Sequence, residues 1–456
     1  LPECTIASKI KLLELIDQSG RYNRLFVDVV FQARVDRVSV DGLNRTKQDI
    51  VNHVVRDLFS VDNFEDMLAK VHAVRGKLAN LGCFKNISIL IDVSSGPGAT
   101  AHGYEVTYQV NELKRVHGGL TTHVSNNEGL LTLTMGLPNM WGRGEELKGE
   151  YNCGSRKTKT FNLSLVKPFI SKRDVVGTAS LFQNVMEWPV SGYKLIDRGV
   201  LLDLAFASLP KVKHNLQWEG SWRELGIGNR YSSFEIRKDA GNTLKSALRH
   251  IVKYDARDST IFPSCGTLAS LSTEFAGLGG NVGFLKNEFA VQANLPLFSE
   301  DFVLQGSFNA GIMNPVDENK QPFVCDNFFL GGPLTLRGFD LRGVGPQADG
   351  NFIGAKVFWS GALHLYTPLP FRPGSGGFGD LFRSHLFINV GNIGDYELNN
   401  MVEEQKNSLR LAWGIGIAFR LGSMARIELN YCFPKMFADS DVLVSGIQMG
   451  VGLDFL

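Results

Sequence analysis

One arginine is placed where it could do chemistry. Arg337 sits in the stretch FFLGGPLTLRGFDLRGVGP, Phe328 to Pro346. Its guanidinium is a planar fork of donors that suits a carboxylate, and once removed from bulk water it needs one. Gly331, Gly332, Gly338, Gly343 and Gly345 allow close backbone approach or positive φ. Phe328, Phe329, Leu334 and Phe339 supply packing surface. A solvated loop has no use for that mixture, whereas a loop folded into a cavity does. Covalent chemistry has no comparable signature. There is no G-x-S-x-G, no H-E-x-x-H and no C-x-x-C, and the six cysteines are scattered. The expectation is a protein that is not an enzyme, with no metal and no cofactor, whose arginine works by ion pairing.

The elements that would position Arg337 read as strands. It lies in an irregular run, 313–354, between segments that alternate like strands; loops of that length are uncommon and usually functional. From Arg115 onward helical periodicity is absent, and about sixteen alternating segments recur. They are 115–124, 129–137, 145–154, 157–167, 173–185, 196–208, 212–225, 243–254, 267–277, 283–294 and 302–312, then 355–366, 384–391, 408–420, 423–432 and 445–456. The segment 230–238 reads as a continuation of the preceding strand or part of its hairpin.

Face composition decides the class. Leu411, Trp413, Ile415, Ile417 and Phe419 alternate with Ala412, Gly414, Gly416, Ala418 and Arg420. Ile447, Met449, Val451, Leu453 and Phe455 alternate with Gln448, Gly450, Gly452 and Asp454. One apolar face and one small or charged face is the transmembrane β-barrel pattern, though a soluble sandwich would alternate in the same way with its apolar face inward. No run of about 18 uncharged apolar residues suggests a membrane helix. The 456 residues carry a net charge of +1, which argues against a nucleic-acid binder. In a barrel of this size the lumen is wet. By parity Glu428 and Asn389 face it, and His364 and His385 read as solvated wall residues.

Residues 33–113 read as a separate βααββ unit. Val35, Val38 and Val40 begin it. Thr46–Asp49 resembles a capping box opening a helix with Ile50, Val54, Val55 and Leu58 on one face. A second helix carries Phe64, Met67, Leu68, Val71, Val74, Leu78 and Leu81 and stops at Gly82. Alternating strands follow at Ile87–Val93 and Tyr104–Val110. Residues 1–32 are expected to form a short helix or a disordered segment, without the pattern of a secretory signal.

The motif Leu336-Arg337-Gly338-Phe339 after Gly331-Gly332 resembles the (V/I/L)-R-G-F motif of the BamA-like outer-membrane assembly superfamily. The βααββ unit is similar to that superfamily's POTRA module. Further blocks look like the animal form of the barrel-subunit family of the mitochondrial sorting and assembly machinery. They are Leu43–Lys47 (LNRTK), Asn126–Gly129 (NNEG), Trp218–Gly220 (WEG), Trp222–Gly226 (WRELG), Leu363–Gly374 (LHLYTPLPFRPG) and Glu428–Tyr431 (ELNY). Gln448-x-Gly450-x-x-Leu453-x-Phe455 looks like the mitochondrial β-signal.

The resemblance implies one POTRA domain at 33–113, in the intermembrane space, and a barrel at 114–456 in the mitochondrial outer membrane. It implies an insertase of β-barrel precursors that works with metaxin-type subunits, the cristae-organising complex of the inner membrane, and lipids. The lateral gate would lie between a first strand marked by Gly118 and Gly119 and a last strand carrying Gly446, Gln448, Gly450, Gly452, Leu453 and Phe455. Relatives place an acid near Asn389. Here an amide stands there, which leaves Glu428 and Asp395 as alternative partners for Arg337. A secretion or translocation pore of the same superfamily, and a passive metabolite channel, are the competing readings.

Overall fold

The computed structural model describes residues 32–96, 98–125, 128–169, 175–298, 301–369, 378–395, 408–422 and 425–452. The segment 1–31, with its expected short helix, and the tail carrying Leu453 and Phe455 lie outside the described residues. Two compact units result, one ending at Glu112 and the other running from Leu113, with Leu81–Cys83 belonging to the second.

In the first unit β1 (Arg34–Asp41) runs parallel to β3 (Gly103–Glu112), which pairs antiparallel with β2 (Phe84–Val93). The crossover is helical: α1 (Gln48–Val55) buries Val51, Val54 and Val55, and α2 (Phe64–Asn80) buries Met67, Val71, Val74 and Leu78. That i, i+4, i+7, i+11 stripe is the helical period laid against a sheet. It excludes Leu68, which is exposed, and on α1 Val51 takes the inward position expected of Ile50. At the N-cap of α1, Lys47 makes no side-chain cap, and the hydroxyl expected to start a capping box is drawn elsewhere. Thr46 turns its hydroxyl to the Glu112 carboxylate at 2.7 Å, which also accepts the backbone N–H groups of Asn44, Arg45 and Thr46 at 3.1, 3.0 and 2.9 Å. An anionic acceptor on the neighbouring strand outcompetes a local cap.

The second unit is one antiparallel sheet of sixteen strands, in chain order apart from the inward loop. Its strands are β4 (His117–Ser125), β5 (Glu128–Pro138), β6 (Glu146–Gly154), β7 (Lys159–Phe169), β8 (Val175–Trp188), β9 (Tyr193–Leu209), β10 (Val212–Ile227), β11 (Gly241–Asp255), β12 (Gly266–Gly280), β13 (Phe284–Pro296) and β14 (Val303–Pro315). A two-residue hairpin, β15 (Gln347–Ala348) and β16 (Asn351–Phe352), lies in the loop. Then follow β17 (Val357–Pro368), β18 (Phe382–Gly394), β19 (Arg410–Leu421), β20 (Ala425–Met436) and β21 (Gly446–Gly452). The sheet curls until its end strands, β4 and β21, bring Cα atoms within 8 Å of each other. Among the described residues no hydrogen-bond ladder joins them, so each has one ladder neighbour.

The apolar face points out. Leu133, Trp222, Leu271, Phe289, Ile388, Ile415, Leu429 and Met449 are exposed, while Glu428, Asn389 and Gln448 on the opposite parity are buried. A soluble sandwich would have the reverse arrangement, so the exposed band is a lipid-facing surface. The segment around 230–238 is not strand. Ser233 Oγ accepts the N–H of Ile236 and starts a short helix, α3 (Phe234–Asp239). The start is fixed by the loop hairpin, whose Asn351 Oδ1 accepts the N–H of Ser233 at 3.0 Å.

Candidate functional site

The loop between β14 and β17 folds inward. Phe328, Leu330, Leu336, Phe339 and Val344 are buried and pack with Phe284, Met313, Ile393 and Ala412 of the wall. Four of its glycines carry out what the sequence suggested. Gly331, Gly332, Gly338 and Gly345 have φ of +111°, +110°, +88° and +114°, and a Cβ on Gly338 would lie 3.0 Å from the Cβ of Ala412. An L side chain is disfavoured there both by conformation and by space.

Arg337 is fully buried and its partner is Glu428. Nε and Nη2 donate to Glu428 Oε2 at 3.1 and 2.9 Å. Nη2 of Arg426 lies 2.9 Å from Oε1 of the same carboxylate, close in distance but off hydrogen-bonding alignment. One anion is thus shared by two cations, and Gly450, its ladder partner on β21, puts no side chain on the inner face. Asn389 serves differently, donating Nδ2 to the Arg337 carbonyl at 3.0 Å. Asp395 is not a partner, because its carboxylate accepts the backbone N–H of Lys356 at 2.7 Å just beyond the end of β18.

The two histidines are not solvated. His364 is 0% and His385 2% exposed, because the loop tip displaces water from this part of the lumen. Arg337 can only donate, so His364 Nε2, 3.3 Å from Nη1, accepts. The His364 proton is therefore on Nδ1, which faces Nδ1 of His385 at 3.2 Å. His385 then carries its own proton on Nε2, donated to Asn430 Oδ1 at 2.7 Å, and Asn430 Nδ2 donates to Glu428 Oε2 at 3.1 Å. The hydrogen bonds close a ring from Arg337 back to Glu428, with each proton assigned by the one before it. An extra proton on either imidazole would set two donors against each other. Room for the rings comes from β19, where a Cβ on Gly416 would overlap His385 and Asn430, and one on Gly414 would overlap Phe387. A sign of this burial was present in the sequence: His364, Tyr366, His385 and Phe387 share the inner face, and an aromatic inner face is a poor water-facing wall.

The tip also grips the last strand. The Gly338 N–H donates to Gln448 Oε1 at 3.0 Å, and Gln448 Nε2 donates to the Phe339 carbonyl at 2.8 Å. The segment before β21 adds backbone bonds from Asp340 N to Val442 O and from Val444 N to Gly338 O, both 2.9 Å. Arg410 pairs with Asp441 of that segment at 2.9 Å. Leu336, Arg337, Gly338 and Phe339 are thereby fixed to the wall from β17 to β21. On β4, Gly118 and Gly119 lie across from Met135 and Thr134; on β21, Gly452 lies across from Arg426, and Gly446 opens the strand with φ of +99°. These glycines sit on the two end strands.

A lipid-faced sixteen-stranded sheet holding an inward loop by a buried Arg–Glu pair defines a class, and residues 139–455 match the Omp85 superfamily domain. The fold is that of BamA from Haemophilus ducreyi lacking POTRA domains 1–3, at 15% identity and a TM-score of 0.76 over 92% of this chain and 84% of that one. CdiB from Acinetobacter baumannii is less similar, with a TM-score of 0.52 at 12% identity over 92% of this chain and 73% of that one. Within the superfamily, the chain belongs to the family of sorting and assembly machinery component 50 homologues. It is 40% identical to those of Xenopus tropicalis and Homo sapiens over 92% of this chain and 90% of theirs. It is 36% identical to the SAM50-like protein CG7639 of Drosophila melanogaster over 93% of this chain and 95% of that one.

Proposed function

We propose that this chain is the insertase of a sorting and assembly complex, folding β-barrel precursors into the mitochondrial outer membrane through the seam between β4 and β21. One observation carries the reading: among the described residues no hydrogen-bond ladder joins the two adjacent end strands, while the inward loop holds β21 from inside. An unpaired strand edge presents N–H and C=O groups that are costly in lipid and template another strand. The glycines on both strands lower the cost of opening, because glycine weakens a strand by entropy and lost packing.

On this reading the βααββ unit is a POTRA module in the intermembrane space that meets precursors by strand addition. Metaxin-type subunits, the cristae-organising complex and membrane lipids are the partners that the family resemblance supplies. No covalent reaction and no cofactor are involved. The test is a disulfide between cysteines introduced in β4 and β21, with precursor insertion measured in oxidised and reduced mitochondria. Insertion should stop on oxidation and return on reduction; insertion at the normal rate with the seam locked refutes the gate.

A further inference from the structure

Beside the arc next to the one that holds Arg337, the inward loop leaves a chamber of about 620 Å³ against β11–β14. That is the size of a small-molecule site. Its charge is one-sided, because Lys253, Lys286 and Arg342 line it and no Asp or Glu does. Lys286 has Glu288 at 3.5 Å and the Asp326 carbonyl at 3.0 Å. Among the described residues no carboxylate lies within 4.0 Å of Lys253 or Arg342. Asp255, two residues from Lys253, is committed to Arg257 at 3.0 Å.

Arg342 is the better-prepared donor. Its guanidinium lies 3.5 Å from the Trp188 ring centroid and 4.0 Å from that of Phe329, with Nη1 donating to the Tyr193 hydroxyl at 2.9 Å. Its backbone sits at φ +58°, an unfavourable conformation for a non-glycine residue that the surroundings must hold. A planar guanidinium stacked on two aromatic rings, without a carboxylate and lining the same chamber as a second cation, Lys253, is a preorganised oxyanion receptor. Ser307, whose buried hydroxyl has no hydrogen-bond partner, also lines the chamber.

We propose that this chamber binds a small water-soluble oxyanion, of the phosphate-ester or polycarboxylate class, through Arg342 and Lys253. A lipid headgroup carries the same chemistry but fits less well. The chamber is lined from the inner face of the sheet, while the outward residues of the same strands, such as Leu271, Phe289 and Phe308, form the exposed apolar band.

The test is calorimetric titration of the full chain with pyrophosphate in an uncharged detergent at constant ionic strength, with Trp188 fluorescence as a second signal. Saturable binding is expected. Arg342→Gln and Lys253→Gln should each weaken it at least tenfold, Arg342→Lys by less, and Lys211→Gln, in the β9–β10 turn, not at all. Heat-modifiable gel mobility shows that each variant is folded. Absence of saturation, or equal affinity in the Arg342→Gln and Lys253→Gln variants, overturns the proposal. So does a response to phosphatidylglycerol nanodiscs, and not to pyrophosphate, that Arg342→Gln removes, since that marks a lipid site.

Discussion

Removing either half of the Arg337–Glu428 pair should free the loop, but by unequal amounts. Breaking a buried ion pair typically costs about 3–5 kcal/mol, because the remaining charge stays buried without compensation. After Arg337→Met, Glu428 keeps Arg426 at 2.9 Å and Asn430 at 3.1 Å, so the loss belongs near about 3 kcal/mol. After Glu428→Gln, two guanidiniums that are 0% and 4% exposed face each other without an anion, so the loss belongs near about 5 kcal/mol. The wall contains its own reporter. Cys432 is buried beneath the tip, its Cβ 3.7 Å from where a Cβ on Gly338 would stand. In a chain whose only cysteine is Cys432, reaction with a charged maleimide requires the loop to lift. With local opening in fast exchange, labelling should accelerate on the order of 10²-fold for Arg337→Met and 10³- to 10⁴-fold for Glu428→Gln. The double variant should fall short of the sum of the two effects, since the residues share one interaction. Equal acceleration by the two single variants, or a larger one from Arg337→Met, refutes the shared-anion argument.

Gln448→Leu removes both bonds between the loop tip and β21 at nearly constant volume. It should accelerate Cys432 labelling about tenfold or more and slow precursor insertion, in contrast to Ile447→Leu on the outer face, which should do neither. Gly338→Ala forces an L side chain to φ +88° against Ala412 and should cost about 1–3 kcal/mol, visible as a lower apparent melting temperature of the barrel. In the first unit, burial raises the Glu112 carboxyl, but the hydrogen bonds from Thr46, Arg45 and Asn44 outweigh it and bring it to about 2. A folded value below the unfolded one stabilises fully above about pH 4.5 and progressively less as pH falls toward 2, by at most about 3 kcal/mol. Hydrogen-exchange protection of the Asn44, Arg45 and Thr46 amides should therefore drop between pH 5 and pH 3, and should not change with pH in Glu112→Gln.

The strands were readable because lipid on one side and a small or polar interior on the other impose a strict period of two, as β19 shows. Arg337 stood out because its loop carries glycines and aromatics together. Parity alone singled out Glu428. Asp395 misled because it lies one residue beyond β18, where alternation no longer determines direction. His364 and His385 were misread as wet because their burial depends on a loop tip that returns from far along the chain. The same limit hid α3: Ser233 caps it only once Asn351, 118 residues away, has docked. Helix α1 shows the opposite failure, where local chemistry suggested a cap and an acid on another strand took the hydroxyl.

The tip of the loop is fastened to one arc of the wall, β17 to β21, and a chamber remains beside the adjoining arc, β11 to β14. The interior is therefore lopsided in charge, and a solute passing through this chamber would meet Lys253, Lys286 and Arg342. Such a passage should favour anions over cations, and reversal potentials across a planar bilayer should shift accordingly while the arginine lock stays shut.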